Sequence, residues 1–204
     1  MSKLFYLRDT RSNVGSNATF WAEKGGYTTN LKAAEIFTEE EALRQHKSRE
    51  TDLPVAVDFV TGKIRQRVDF QNVDPSPTLR DTYKHVVIFN GRLDGNDVLF
   101  VGNEGRTFDF EDAAVFELEE ACELAATSPY YRIKPYNDMA AIARTTIDAS
   151  HVRPQACADF AGFTLNEPPK PRKTVYRCYG CGAFMSEYQF YASDCRKCGQ
   201  DNRP

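Results

Sequence analysis

The chain is poor in the residues that usually announce an enzyme. It has three histidines among 204 residues, and His46, His85 and His151 fall on a charged helix end, a strand start and a loop. Each reads as a packing or surface residue. Gly-x-Ser-x-Gly, Walker-type, Gly-x-Gly-x-x-Gly and His-x-Glu signatures are all missing. No apolar run approaches eighteen residues, and the first residues carry no long apolar stretch, so neither a membrane span nor a secretory leader is expected. The chain also lacks a strong charge of either sign. Its net charge of −3 divides into +4 from Pro168 onward and −7 before it, too little basic density for a nucleic-acid footprint and too little acid for a DNA mimic.

With 41% hydrophobic and 27% charged residues, the chain is long enough to bury a core of one or two domains. Its strongest motif lies near the C-terminus: Cys178-Tyr-Gly-Cys181-Gly182 and, thirteen residues on, Cys195-Arg-Lys-Cys198-Gly199. Two Cys-x-x-Cys-Gly knuckles at this separation bring four thiolates around one tetrahedral Zn²⁺, and each glycine lets backbone N–H groups turn towards the sulfurs. The expected ligands are Cys178, Cys181, Cys195 and Cys198, and the expected role is structural: one Zn²⁺ replaces a core that some thirty residues cannot build. Metal-type cysteine spacing with Cys122 and Cys157 left over suits a reducing cytoplasm, with a Cys122–Cys157 disulfide the alternative. Four thiolates on a divalent ion add −2 and leave the tail only weakly basic. Its aromatics beside arginines still suit base stacking or a protein hot spot, which makes Arg177, Tyr179, Tyr188, Arg196 and Lys197 the candidate binding residues.

The body shows an internal repeat at an offset of 79 residues. Asn17 matches Asn96, Trp21 matches Phe100, Gly26 matches Gly105 and Thr28 matches Thr107; further along, Ala34 matches Ala113 and Glu40-Glu41-Ala42 matches Glu119-Glu120-Ala121. Two copies of one supersecondary unit follow, each too small to bury its apolar face alone. In the first copy, Leu4–Leu7 reads as a strand, residues 8–17 as a loop, and 18–23 with 27–29 as a hairpin over Gly25-Gly26. Asn30 caps a short turn, and Thr38 with Glu41 forms a capping box for a helix over 39–49. Residues 55–59 and 64–70 alternate across Thr61-Gly62 as a second hairpin. The second copy has strands over 86–89, 98–101, 106–108 and 130–133, a helix over 118–127 behind Glu117, and a helix from Asp138 to about Ala149 behind Asn137. From His151 to Lys173 the composition is that of a loop, ending in a semi-rigid Pro-rich tether.

The expected fold class is α+β: two tandem ββα-type repeats with additional hairpins over 1–79 and 80–152, a linker over 153–174 and a zinc ribbon over 175–204. The carboxylates of Asp58, Asp69, Asp109 and Asp112 form the one candidate Mg²⁺ set for phosphodiester cleavage, but strand alternation turns Asp58 and Asp69 to solvent.

The stretch Tyr6-Leu-Arg-Asp-Thr-Arg-Ser-Asn-Val-Gly15, followed by Trp21-Ala-Glu-Lys-Gly-Gly-Tyr-Thr-Thr-Asn-Leu31 and Phe37-Thr-Glu-Glu-Glu-Ala42, resembles uncharacterised accessory proteins of bacteriophages and prophages. The likeness spans residues 4–43 and, more loosely, 86–122, and it brings no catalytic residues with it. It implies a non-enzymatic protein of the host bacterial cytoplasm that docks on a host protein or nucleoprotein complex and inhibits or redirects it, as anti-defence (anti-CRISPR-like) proteins do. A zinc-ribbon regulator that binds nucleic acid is the alternative, and a metal-dependent nuclease the third reading.

Overall fold

The structure is a computed structural model that describes residues 3–166 and 174–203. The chain divides into two compact units, Met1–Glu167 and Pro168–Pro204, and the architecture is mixed α/β.

In the larger unit, β1 (Leu4–Val14) is the centre of the first sheet. It pairs with β2 (Asn17–Trp21), with β4 (Phe37–Thr38) and with β5 (Asp52–Ala56), and β3 (Tyr27–Thr28) extends the sheet beyond β2. The loop expected over 8–17 is instead the continuation of β1. Gly15-Ser16 makes a two-residue turn with Gly15 at φ +59°, the left-handed backbone such a hairpin requires, and a bulge between Asp9 and Asn13 absorbs the register shift. The capping box forms as expected: Thr38 N–H donates to the Glu41 carboxylate at 2.9 Å and Glu41 N–H to Thr38 Oγ1 at 3.3 Å, opening α1 (Glu39–Ser48).

The hairpin expected across Thr61-Gly62 does not form. β5 pairs with β1 over five residues, Val57–Val60 winds into a short helix α2, and β6 (Ile64–Arg67) pairs far away in the chain. Local alternation marks the extended segments but cannot name their partners, which lie up to about eighty residues off.

The second sheet has the order β10-β7-β8-β9, from β7 (His85–Asp94), β8 (Asp97–Gly102), β9 (Gly105–Thr107) and β10 (Tyr131–Pro135), with α3 (Leu118–Ala126) before β10. The helix expected to run to Ala149 begins earlier, as α4 (Tyr136–Ile142), and stops short. Arg144–Ile147, with two threonines and an isoleucine whose branched Cβ atoms favour extended backbone, becomes β11 and pairs antiparallel with β6. The loop expected after His151 contains α5 (Pro154–Ala161), with Pro154 in its first turn and Gly162 at φ +82° closing its C-terminus. Both signals are present in the sequence, but a proline that can open a helix can equally break one. The Pro-rich part of the tether, residues 167–173, lies outside the described residues.

Residues expected as separate modules over 1–79 and 80–152 belong to a single compact unit. β6 and β11 supply its first seam, and the β1–β2 and β7–β8 turns meet at a second. There Phe70 N–H donates to Asn96 O at 2.9 Å and Ala149 N–H to Ser16 O at 2.8 Å. Asn17 Nδ2 donates to Asp97 at 2.6 Å, and Arg144 reaches the other Asp97 oxygen at 2.5 Å. Burial pushes the Asp97 carboxyl up, while Asn17 and Arg144 oppose that shift. Arg8, a buried residue of β1, donates to the carbonyls of Ala149 and Val152, so it ties β1 to residues beyond β11.

The leftover cysteines are unpaired. Cys122 is exposed and Cys157 is buried, burial pushing its thiol up to about 11; a thiol so held is unreactive at neutral pH.

His85, at the start of β7, pairs with Pro135 of β10 and bridges to Phe116. It is fully buried, and among the described residues neither ring nitrogen has a hydrogen-bond partner. Two unpaired polar atoms in a core cost about 1–3 kcal/mol. His85→Leu is therefore expected to stabilise the body by about that amount in urea denaturation at pH 8; a loss of stability would mean that the imidazole has a partner in solution.

Candidate metal centre

The smaller unit is built on a two-stranded ribbon, β12 (Tyr176–Arg177) against β13 (Phe184–Met185), followed by α6 (Glu187–Ala192). Ser186 and Gln189 cap α6 reciprocally, at 3.2 and 3.1 Å. Both Cys-x-x-Cys-Gly segments close in the same way: Gly182 N–H donates to Cys178 O at 2.9 Å and Gly199 N–H to Cys195 O at 2.8 Å, with the glycines at φ +69° and +72°. A side chain at either glycine would strain the turn that presents the sulfurs.

These turns bring Cys178, Cys181, Cys195 and Cys198 together, with all four sulfurs within 4.8 Å of one another. Cys178 and Cys198 are 3.5 Å apart and Cys181 and Cys195 3.7 Å. The edge of a tetrahedron with metal–sulfur bonds of about 2.3 Å is about 3.8 Å, so the donor set has the size and chemistry to hold a metal ion. Burial acts against a Cys178 thiolate, yet the N–H groups of Cys181 and Gly180 and the neighbouring thiols outweigh it and bring that thiol down to about 6. The same thiol contacts push Cys198 up to about 12, so the cluster shares its protons unevenly and metal would have to displace those that remain.

Asn202 was not anticipated from the sequence. Buried among exposed neighbours, it accepts from Tyr179 N–H at 2.8 Å and donates to Gln200 O at 2.8 Å, so one side chain ties the first knuckle to the second. An isolated asparagine near a chain end gives no local signal of such a role.

The candidate binding residues all lie on the surface of this unit. Tyr179 is 76% exposed and Tyr188 77%, with Phe184 at 69%. Arg177 stacks its guanidinium over Phe184 at 4.1 Å, and Arg196 and Lys197 are exposed in the second knuckle. Phe190 is the buried aromatic, with Tyr176, Tyr179 and Tyr191 packed around it at 5.1 to 5.4 Å.

The carboxylate set does not assemble. Asp58 and Asp112 are exposed. Asp69, expected to face solvent, is instead buried, because it caps the 3-10 turn Phe70–Asn72. Asp109 caps the turn Phe110–Asp112 and pairs with Arg65 at 3.3 Å. Among the described residues the only cluster of three or more metal-type donors is the four cysteines. His46 is buried and committed: Asn166 N–H donates to its Nε2 at 3.1 Å, which leaves Nδ1–H for Asp52 O at 2.9 Å.

Comparison with protein-family models, with curated proteins and with solved structures found no match. Fold and site thus define a class, a mixed α/β protein with a four-cysteine cluster, and among the described residues no helix is long and apolar enough to cross a membrane.

Proposed function

We propose that this is a non-enzymatic binding protein of phage type, whose zinc-stapled ribbon docks on a host protein or nucleoprotein complex and inhibits or redirects it. The observation that carries this reading is the ribbon's outward aromatic set, with Tyr179, Phe184 and Tyr188 each more than two-thirds exposed on a unit with very few buried residues. Aromatics held rigid beside Arg177 have the composition of a protein hot spot. Zinc is the metal that an all-sulfur tetrahedron of two such knuckles suits best, with no open position for chemistry.

The body reads as two copies of one unit related by an approximate twofold. Supporting this, the order of elements from β1 to β6 recurs from β7 to β11 except for β4, in whose place the second half has only an isolated bridge between Phe116 and His85. The hydrogen bonds Phe70–Asn96 and Ala149–Ser16 are also each other's counterparts under the 79-residue offset to within one position.

The test is affinity capture from bacterial lysate with the wild type and with Tyr179→Ala/Tyr188→Ala. The wild type is expected to retain a stoichiometric protein partner that the double variant loses; no partner, or equal retention, would overturn the reading. Nucleic acid is the lesser alternative, because the metal-loaded ribbon is close to neutral. It predicts binding that falls steeply with salt and is lost on Arg196→Glu/Lys197→Glu.

A further inference from the structure

We infer that the groove beside the 3-10 turn of residues 31–33 receives, from a partner protein, an aromatic side chain flanked by a carboxylate. The inference rests on the proposed equivalence of the two halves, and it concerns the body, not the ribbon. The groove has a volume of about 510 Å³; Leu31, Ile36, Val57, Val60 and Ile64 form its apolar lining, with Tyr6 beneath. Ile36 is 52% exposed and Ile64 39%. A cavity of this size is in the range that binds a small aromatic group.

The second half shows what such a space accommodates. Leu31 opens the 3-10 turn behind Asn30, and Phe110 opens the corresponding turn behind Asp109. Val57 and Val60 are the first and fourth residues of α2, and Tyr136 and Met139 hold those places in α4. In the second half Tyr136 lies stacked on Phe110, with centroids 5.0 Å apart and planes at 29°, and Met139 is fully buried. The first half has leucine and valines where the second places two rings and a methionine, so it keeps open a volume that the same backbone plan closes with aromatic side chains. Tyr6, in the place of Val86, returns only part of that volume.

Charge defines the rest of the ligand. Among the described residues Lys32 is the only charged one lining the groove, and it is exposed at the rim. Its counterpart is Glu111, so the cation belongs to the open half alone. An aromatic group entering beside Lys32 is favoured when a carboxylate accompanies it, by about two- to five-fold, the usual worth of an exposed ion pair.

The experiment follows the ¹³C-methyl resonances of Leu31, Ile36, Val57, Val60 and Ile64 in the full chain during titration with 3-(4-hydroxyphenyl)propionate and with tyramine, which share a phenol but carry opposite charges. The propionate is expected to shift these methyls and to bind about two- to five-fold tighter than tyramine, and Lys32→Glu to reverse that order. Leu31→Phe/Val57→Tyr, which copies the second half into the first, is expected to fold and to abolish the shifts. Absent shifts, unchanged charge preference in Lys32→Glu, or equal shifts in a folded filled variant would overturn the inference. If the filled variant fails to fold, the equivalence of the halves fails with it, while Lys32→Glu still decides the ligand's charge. The ribbon is untouched throughout, so a negative result here leaves the capture experiment to stand or fall separately.

Discussion

Gly95→Ala is expected to destabilise the body by about 3 kcal/mol or more, and Gly15→Ala by a similar amount. Each glycine has φ near +60°, where an L side chain costs about 1–2 kcal/mol. Each also faces the other's turn. A Cβ at Gly95 would lie 2.5 Å from Gly15 N and 2.7 Å from Val14 C, and one at Gly15 would lie 2.3 Å from Asp94 Oδ1 and 2.5 Å from Gly95 N. Those neighbours are mostly backbone and cannot rotate away, so the two hairpins must separate, at an overpacking cost of about 1–3 kcal/mol. Separation would also pull Asn17 from Asp97 and leave a buried carboxylate less well paired. Gly62→Ala is the control, because Gly62 has φ +78° but open space around it, and it should lose only the backbone share. Urea denaturation of the three variants measures the difference. If Gly15 and Gly95 behave like Gly62, the turns do not touch in solution.

Removal of metal is expected to unfold residues 174–203 while leaving the body intact. Among the described residues of the ribbon, only Cys178, Phe190, Cys195 and Asn202 are buried, and two of these four belong to the four-cysteine cluster. Such a core cannot offset the chain entropy of thirty residues, whereas structural zinc on thiolates supplies on the order of 10–16 kcal/mol at neutral pH. In ¹H–¹⁵N spectra, a strong chelator or Cys198→Ser should collapse the ribbon amides to random-coil positions and leave β1 to β11 dispersed. Acid should act in the same direction, since protons compete with metal for every sulfur. Ribbon amides that stay dispersed after chelation would show that metal does not hold the fold. One zinc per chain in freshly reduced protein is the accompanying expectation for the metal's identity.

The features legible in the sequence are those whose cause is local. Thr38-Glu-Glu-Glu41 carries its own capping box, Asn30 its own short turn, and the two Cys-x-x-Cys-Gly segments their own metal geometry. The features that were missed depend on distant partners. Nothing within Ile64–Arg67 points to Arg144–Ile147, and nothing around Arg8 marks the carbonyls of Ala149 and Val152 as its acceptors. The two hairpin turns lie between these cases, since Gly15-Ser16 and Gly95-Asn96 are recognisable turn pairs, but the polar residues around them outweigh that signal. At the site, the sulfurs were legible because metal chemistry dictates their spacing. Asn202 was not, because its role comes only from where two backbone turns happen to meet.

The pairing of β6 with β11 bears on how the chain is made. During synthesis residues 1–80 emerge with β6 complete but without its pairing strand β11, which is translated only after residue 143. Arg8 likewise waits for carbonyls 141 and 144 residues downstream. β6 therefore spends several seconds on the ribosome without a pairing partner, at translation rates of about 5–20 residues per second. Its closing contacts are among the most distant in the chain, so the body is expected to fold late and as one cooperative step.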